Sequence, residues 1–320
     1  MKEYTITGND KGIKLSKYLG RILPAAGQSF IYKMLRKKNI TLNDKKASGN
    51  EILCTDDSIK IYFSDDTFEK FSCGKEDIVS DNLSNAYKEL PPIVYEDDNI
   101  LILNKPAGML SQKSHEEDIS LNEICLSYLL SKGEISSDSL KMYKPSIVNR
   151  LDRNTMGLVV FAKTYNAANQ LSKAFKERTV HKYYRCIVVG KIEEEMLLSG
   201  SLVKDTDKNI VTIINDGQEN IKTKIKPLKS NENYSLLEVL LITGKTHQIR
   251  AHLASISHPI VGDVKYGNQE VNNELYKKYK LKHQLLVSYR IVFPEFTEEL
   301  QTISKKEFTI KTPDIFERLI

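Results

Sequence analysis

An α+β fold is predicted for this chain of 320 residues: a mixed, largely antiparallel sheet flanked by helices, with a small α/β unit ahead of it. Three observations carry that prediction. Strand-like runs outnumber helical ones and many follow one another directly, which is the pattern of antiparallel rather than doubly wound sheets. The length suits a small module plus a larger one. The charge is also uneven. Between Lys11 and Lys46 stand ten Lys/Arg and one acid, Asp44, a local charge of +9, while the whole chain carries only +5. Three segments are expected: a unit over 1–63, a linker over 64–90 and a larger domain over 91–320.

In KLSKYLGRIL, Leu15, Tyr18, Leu19 and Ile22 recur at helical spacing, and Pro24 and Gly27 end that helix. Ser29 is the expected cap of a second helix, with Ile31 and Leu35 inward and Arg36, Lys37 and Lys38 near its end, where cations suit the helix dipole. Asn43-Asp44 in ITLNDKK marks a turn between two short strands. The stretch from Ser64 to Leu90 is polar and reads as a linker. IVYEDDNILILNKPAG gives two strands around an acidic turn, and Ser120 with Glu123 gives a capping box for the helix SLNEICLSYLL. LVVFAK is a strand, followed by a helix over NAANQLSKAFKER whose inner stripe is Ala167, Leu171, Ala174 and Phe175. YYRCIVVGK, LLEVLLITG and LLVSYRIVF are further strands.

Composition excludes several classes. Hydrophobic content of 40% with 28% charged residues is that of an ordinary globular protein, and no run approaches a membrane span. MKEYTITGND has neither the apolar core nor the cleavage site of a signal peptide. Cys54, Cys73, Cys125 and Cys186 form no CxxC pair, so a reducing, cytoplasmic setting is expected. GKT at Gly244–Thr246 is not a P-loop, because Val239 stands where that pattern needs glycine. His247, His252 and His258 are spaced by five and six, which places their rings on different faces of a helix. No metal and no cofactor are expected.

NRLDRNTMG, Asn149–Gly157, places one carboxylate, Asp152, between Arg150 and Arg153, immediately before an apolar strand. Taken alone, such an acid is a structural salt bridge. Yet the chain holds nine arginines against 38 lysines, and two of the nine fall within four residues. Asn154 and Gly157 permit a tight exposed turn there, where a rigid scaffold presents reactive side chains. A third arginine, Arg250, lies in the other unusual polar motif, GKTHQIR.

These residues resemble the RluA family of pseudouridine synthases. NRLDRNTMG is similar to that family's HRLDxxTSG motif, NKPAG at Asn104–Gly108 to its KPAG element, and HKYYRCIVVG to its KxYxAxVxG strand. TGKTHQIRAHLASISHPIVGDVKYG is similar to its GRTHQIRxHxxxxGHPIxGDxxYG block, and the four motifs keep the family's order between Asn104 and Gly267. Asn149, Met156, Lys245 and the Val287-Ser288 pair depart from the pattern. The basic N-terminal unit resembles the S-four-type RNA-binding domain that ribosomal-RNA members carry.

The resemblance implies a pseudouridine synthase catalytic domain that isomerises uridine to pseudouridine in RNA, with large-subunit ribosomal RNA expected before transfer RNA. A non-catalytic RNA-binding or ribosome-assembly protein on the same fold is the rival. The bond from ribose to the base nitrogen breaks and carbon 5 joins the sugar, so nothing is imported and no redox change occurs. Asp152 is the implied catalyst, as nucleophile at the sugar carbon or as base on the ribose. Arg250 is its implied partner, since a cation within a few ångströms lowers a carboxyl pKa by about 1–3 units. Tyr184 is the implied stacking ring, its hydroxyl placed to manage the carbon 5 proton; Tyr183 alternates to the opposite face. Arg150 and Arg153 are expected at phosphates or in the gap left by an extruded base. Lys105, Lys182 and Lys245 are expected at phosphates, and Lys33, Arg36, Lys37 and Lys38 on the RNA-holding face of the N-terminal unit. The partner is structured RNA, without a membrane, and the chain is expected to be a monomer.

Overall fold

In the computed structural model, residues 1–72, 86–205, 210–214, 217 and 219–320 are described. About half of the expected linker, 73–85, and with it Cys73, lies outside them.

The N-terminal segment builds a four-stranded sheet from β1 (Lys2–Thr5), β2 (Ile40–Leu42), β3 (Lys45–Lys46) and β4 (Ser58–Ile61), in the order β1-β4-β2-β3. Helices α1 (Leu15–Ile22) and α2 (Gln28–Arg36) lie in the same core, which takes Leu15, Leu19, Ile31 and Leu35. Asn43 and Asp44 both adopt positive φ, as a two-residue hairpin turn requires. Ser29 is not the cap of α2. The helix starts at Gln28 behind Gly27, whose extended backbone needs no side chain to turn the chain. The first part of the expected linker is α3 (Asp65–Ser72), anchored where Phe71 packs on Phe30 at 4.3 Å between ring centres.

The larger sheet has eleven strands. Its main path joins β5 (Ile93–Glu96), β6 (Ile100–Lys105), β8 (Met156–Ala162), β9 (His181–Val189), β10 (Met196–Asp205), β11 (Ile210–Ile214), β12 (Ile221–Ser230), β13 (Tyr234–Leu241) and β14 (Leu286–Val292) in the order β11-β10-β12-β13-β9-β14-β8-β6-β5. β7 (Ser146–Ile147) pairs with β8, and β15 (Glu307–Thr309) with β14. Every pairing is antiparallel except β14 with β8, so the sheet is mixed and largely antiparallel. Gly157 sits at that parallel junction with φ +119°, where a Cβ would come within 2.3 Å of Ser288 O. The close approach of β14, not an exposed turn, is what requires glycine there.

Helices cover both faces. α4 (Leu121–Ser131), α5 (Ser137–Met142) and α7 (Gln248–Ser255) meet the face whose core holds Leu103, Phe161, Cys186 and Val239. α6 (Tyr165–Lys176) buries Ala167, Leu171 and Ala174 against β6 and β8, as its apolar stripe predicts. α8 (Gln269–Tyr279) and α9 (Ile315–Leu319) pack over Ile187, Leu236 and Val287. The capping box at α4 is absent. The Ser120 hydroxyl donates to the Glu123 carboxylate itself, and no backbone N–H of the first turn reaches it. The N-terminal unit rests on α5, α6 and the helical turn Glu298–Ile303: Lys11 pairs with Glu299 at 2.7 Å, Arg21 donates to Met142 O, and Tyr143 and Tyr165 extend its core.

Candidate active site

The Asn149–Gly157 motif forms a turn between β7 and β8, closed by the Thr155 N–H donating to Asp152 O at 3.0 Å. A neighbouring segment, 105–111, clamps it. The Ser111 hydroxyl donates to Leu151 O at 2.8 Å and accepts from the Leu151 N–H at 3.1 Å. Arg153 O accepts from the Gly108 N–H at 2.9 Å, and the Arg153 Nε donates to Gly108 O at 3.0 Å. Lys105 Nζ completes the clamp by donating to the carbonyls of Pro106, Met109 and Arg153 at 3.1, 2.8 and 3.0 Å.

Arg250 comes from the first turn of α7. His247, with φ +55°, turns the chain into that helix. Gln248 then fastens it: its amide oxygen accepts from Thr243 Oγ1 and the Lys245 N–H, and its nitrogen donates to Lys222 O and Thr223 Oγ1. Two residues on, Arg250 points elsewhere. Its Nη1 donates to Asp152 Oδ2 at 2.8 Å, while Nε and Nη2 donate to Asp263 at 2.7 and 2.9 Å. Asp263 is buried and also accepts the N–H groups of Lys265 and Tyr266. Burial pushes the Asp263 carboxyl up, but the Arg250 hydrogen bonds and those backbone donors outweigh it, so the group is held below its ordinary range. Burial likewise opposes the Arg250 charge and the two aspartates more than restore it. A planar fork with a third free donor is the geometry that serves both carboxylates at once.

Asp152 lies on the wall of a cleft of about 410 Å³, its side chain 26% exposed. Oδ2 is taken by Arg250; among the described residues no hydrogen bond engages Oδ1. Tyr184, from β9, lines the same cleft, and burial, reinforced by the Asp152 charge, pushes its phenol well above the usual range. The hydroxyl is therefore neutral near pH 7. His247 stands on the other side of Asp152, with Nε2 3.8 Å from Oδ2. The Val211 N–H donates to the Tyr266 oxygen at 2.8 Å, and the same hydroxyl is hydrogen-bonded with His247 Nδ1 at 3.0 Å. Burial lowers the His247 pKa, so the ring is neutral.

Comparisons with known proteins decide what this cleft belongs to. A model of the family described as RNA pseudouridylate synthase matches residues 99–255. An RNA pseudouridine synthase of Mycoplasma genitalium is 32% identical over 99% of this chain and 98% of its own length. The chain belongs to the RNA pseudouridine synthase family. The ribosomal large subunit pseudouridine synthase C of Rickettsia typhi is 34% identical over 84% of this chain and 86% of that protein. Among solved structures, human RNA pseudouridylate synthase domain containing 4 shares the fold, with a TM-score of 0.57 at 22% identity, over 74% of this chain and 94% of that one.

In this pseudouridine synthase, Asp152, Tyr184, Arg250, Arg150, Lys182 and Lys245 all line the cleft. Among the described residues neither Arg150 nor Arg153 pairs with Asp152; its partner comes from α7. Tyr183 alternates to the opposite face and stacks under Arg290 at 3.8 Å. Lys182 is half-buried, its pKa lowered by burial and by the nearby Arg178 charge. Lys33, Arg36, Lys37 and Lys38 are exposed along and just beyond α2.

Lys105 is a correction. It is fully buried with its ammonium committed to three carbonyls, so it cannot reach a phosphate; the apolar run of β6 carries it inward. Burial pushes its pKa down to about 8, against the Asp152 charge. Asp263, Tyr266 and His247 escaped assignment from sequence, although all three fall inside the TGKTHQIR…KYG block. Their types were visible, but their convergence on Arg250 and Asp152 is a tertiary fact. Asn149, a departure from the family pattern, donates to Leu158 O and accepts from the Val160 N–H, extending the β8 ladder.

Proposed function

We propose that this synthase isomerises uridines in large-subunit ribosomal RNA, with Asp152 acting on a uridine turned out of its helix. The observation that supports this most directly is the Asp152–Arg250 contact of 2.8 Å on the wall of a cleft that also holds Tyr184. A glycosidic carbon inside a helix is out of reach of any side chain, so the nucleotide must be extruded, at a cost of a few kcal/mol. Stacking of the uracil on Tyr184 offsets about 1–3 kcal/mol of it. Arg250 orients Asp152 through Oδ2 and leaves Oδ1 for the ribose, as nucleophile at the sugar carbon or as base. The base nitrogen leaves, the uracil turns within the cleft, and carbon 5 bonds to the sugar carbon. The neutral Tyr184 hydroxyl stands beside the carbon 5 proton that must then depart.

Arg150, Lys182 and Lys245 supply positive charge around the cleft for the flanking phosphates, and Arg153 flanks it at the 105–111 clamp. Lys33, Arg36, Lys37 and Lys38 form the second holding surface, on the N-terminal unit. Large-subunit ribosomal RNA is the preferred substrate because several similar proteins carry that name. Mapping pseudouridines across total RNA in cells lacking the gene tests the proposal. Loss of one or more sites in large-subunit RNA is expected. Loss confined to transfer RNA would reassign the substrate, and loss nowhere would overturn the reading.

A further inference from the structure

A second basic groove, unused by the chemistry above, begins beside the active-site clamp. About 580 Å³ of space lies between the end of α8 and the C-terminal helix, lined by Lys278, Lys280, Lys282, His283 and Arg318 together with Ala107 of the clamp segment. Among the described residues none of Lys278, Lys280, Lys282 and Arg318 forms an ion pair, whereas Lys191, Lys224 and Lys305 each pair with a glutamate at 3.0 Å or less. Lys278 near the end of α8 is explained by the helix dipole. Lys280, at the C-cap, shares that explanation and also lies over the Tyr276 ring at 5.6 Å; Lys282, in the loop beyond, has neither. The groove is continuous with the catalytic turn. His283 Nε2 lies 3.8 Å from the Cβ position of Gly108, and Gly108 exchanges hydrogen bonds with Arg153. A line of positive charge thus runs from Arg150 and Arg153 past His283 to Lys280 and Arg318.

We propose that RNA flanking the target uridine leaves the Asp152 cleft over the Gly108–His283 junction and lays its phosphates along Lys280, Lys282 and Arg318. This rests on the RNA-modifying function above and adds a path for the substrate. The groove is lined by three lysines and an arginine and by no carboxylate, a balance that fits a polyanion better than a protein surface. Leu281 and Ile315 also line it and offer an apolar surface on which an unstacked base can rest. The test is the triple variant K280Q/K282Q/R318Q in the full chain, with unmodified large-subunit ribosomal RNA transcribed in vitro as the probe. Equilibrium binding is measured by filter retention at several salt concentrations. Affinity is expected to fall about tenfold or more, and the slope of log K against log salt to become shallower by roughly two, at about 0.7–0.9 for each phosphate no longer neutralised. Unchanged affinity and slope would overturn the proposal. So would an equal loss from K191Q/K224Q/K305Q, whose charges are already paired, because that would reduce the effect to net charge. The readout needs no turnover: absence of pseudouridine product would refute the reading of the active site while leaving this result to stand or fall alone.

Discussion

Arg250 and Asp152, 98 positions apart in the chain, meet at 2.8 Å between Nη1 and Oδ2. The other two nitrogens of the same guanidinium donate to Asp263. The contact is therefore directional: Arg250 cannot swing away without breaking a buried, doubly hydrogen-bonded pair. Replacing Asp152 by Asn keeps the shape and removes the carboxylate charge. Asp152→Asn is expected to lower pseudouridine formation by on the order of a thousandfold or more while RNA is still bound. Nucleoside analysis of digested RNA reads the first, filter binding the second. Product at the normal rate would remove Asp152 from the chemistry.

Asp263 should matter for stability as well as for orientation. Removing one partner of a buried pair costs about 3–5 kcal/mol, so Asp263→Ala is expected to unfold at distinctly lower denaturant concentration. The pH dependence has a definite sign. Its folded pKa lies below the ordinary carboxylate value, so it contributes stability above that value and loses it as pH falls through the lowered one. As pH falls below the ordinary carboxylate range the variant should therefore lose less additional stability than the parent, as urea titrations at a series of pH values would show. Parallel losses would rule this out.

Lys105 gives the opposite signature. Its pKa of about 8 in the folded chain is below the usual lysine value, so the unfolded chain binds more protons between about pH 8 and 10.5. Stability from this group rises with pH across that window. Lys105→Met should abolish the rise. By leaving three carbonyls without their donor, it should also cost about 1–3 kcal/mol at pH 7. The turn that carries Asp152 loosens with it, so turnover should fall more than RNA affinity. A variant that loses only affinity would restore the phosphate-binding role.

Tyr184 can be divided by substitution. Tyr184→Phe keeps the ring and should bind RNA nearly as tightly, with slower product formation if the hydroxyl handles the carbon 5 proton. Tyr184→Ala should in addition lose about 1–3 kcal/mol of binding. Equal product rates for the Phe variant and the parent would leave Tyr184 a stacking platform alone.

On the N-terminal unit, replacing Lys33, Arg36, Lys37 and Lys38 by Gln is expected to weaken binding to ribosomal RNA. The salt slope should become shallower by about 0.7–0.9 for each phosphate that these cations neutralise. A variant with unchanged affinity and slope would assign those charges to a solvated surface.

Much of this protein was legible in its residues. Apolar periodicity placed α1, α6, β8 and the hairpin turn at Asn43-Asp44, because those elements are decided by local pattern and turn chemistry. The four motifs picked out Asp152, Arg250 and Tyr184 from the chain. What sequence could not decide was depth and partnership. Lys105 looks like any cationic residue after a strand until β6 is seen to be buried along its length. Arg153 and Arg150 flank Asp152 in sequence, yet a turn splays neighbouring side chains apart, and the pairing falls to a guanidinium carried in by α7. Asp263 acquires its role only because α7 and the loop after it close on one another. Covalent neighbourhood is set residue by residue; the distance between groups far apart in the chain is set by how the sheet and its helices pack, and that is where this site is made.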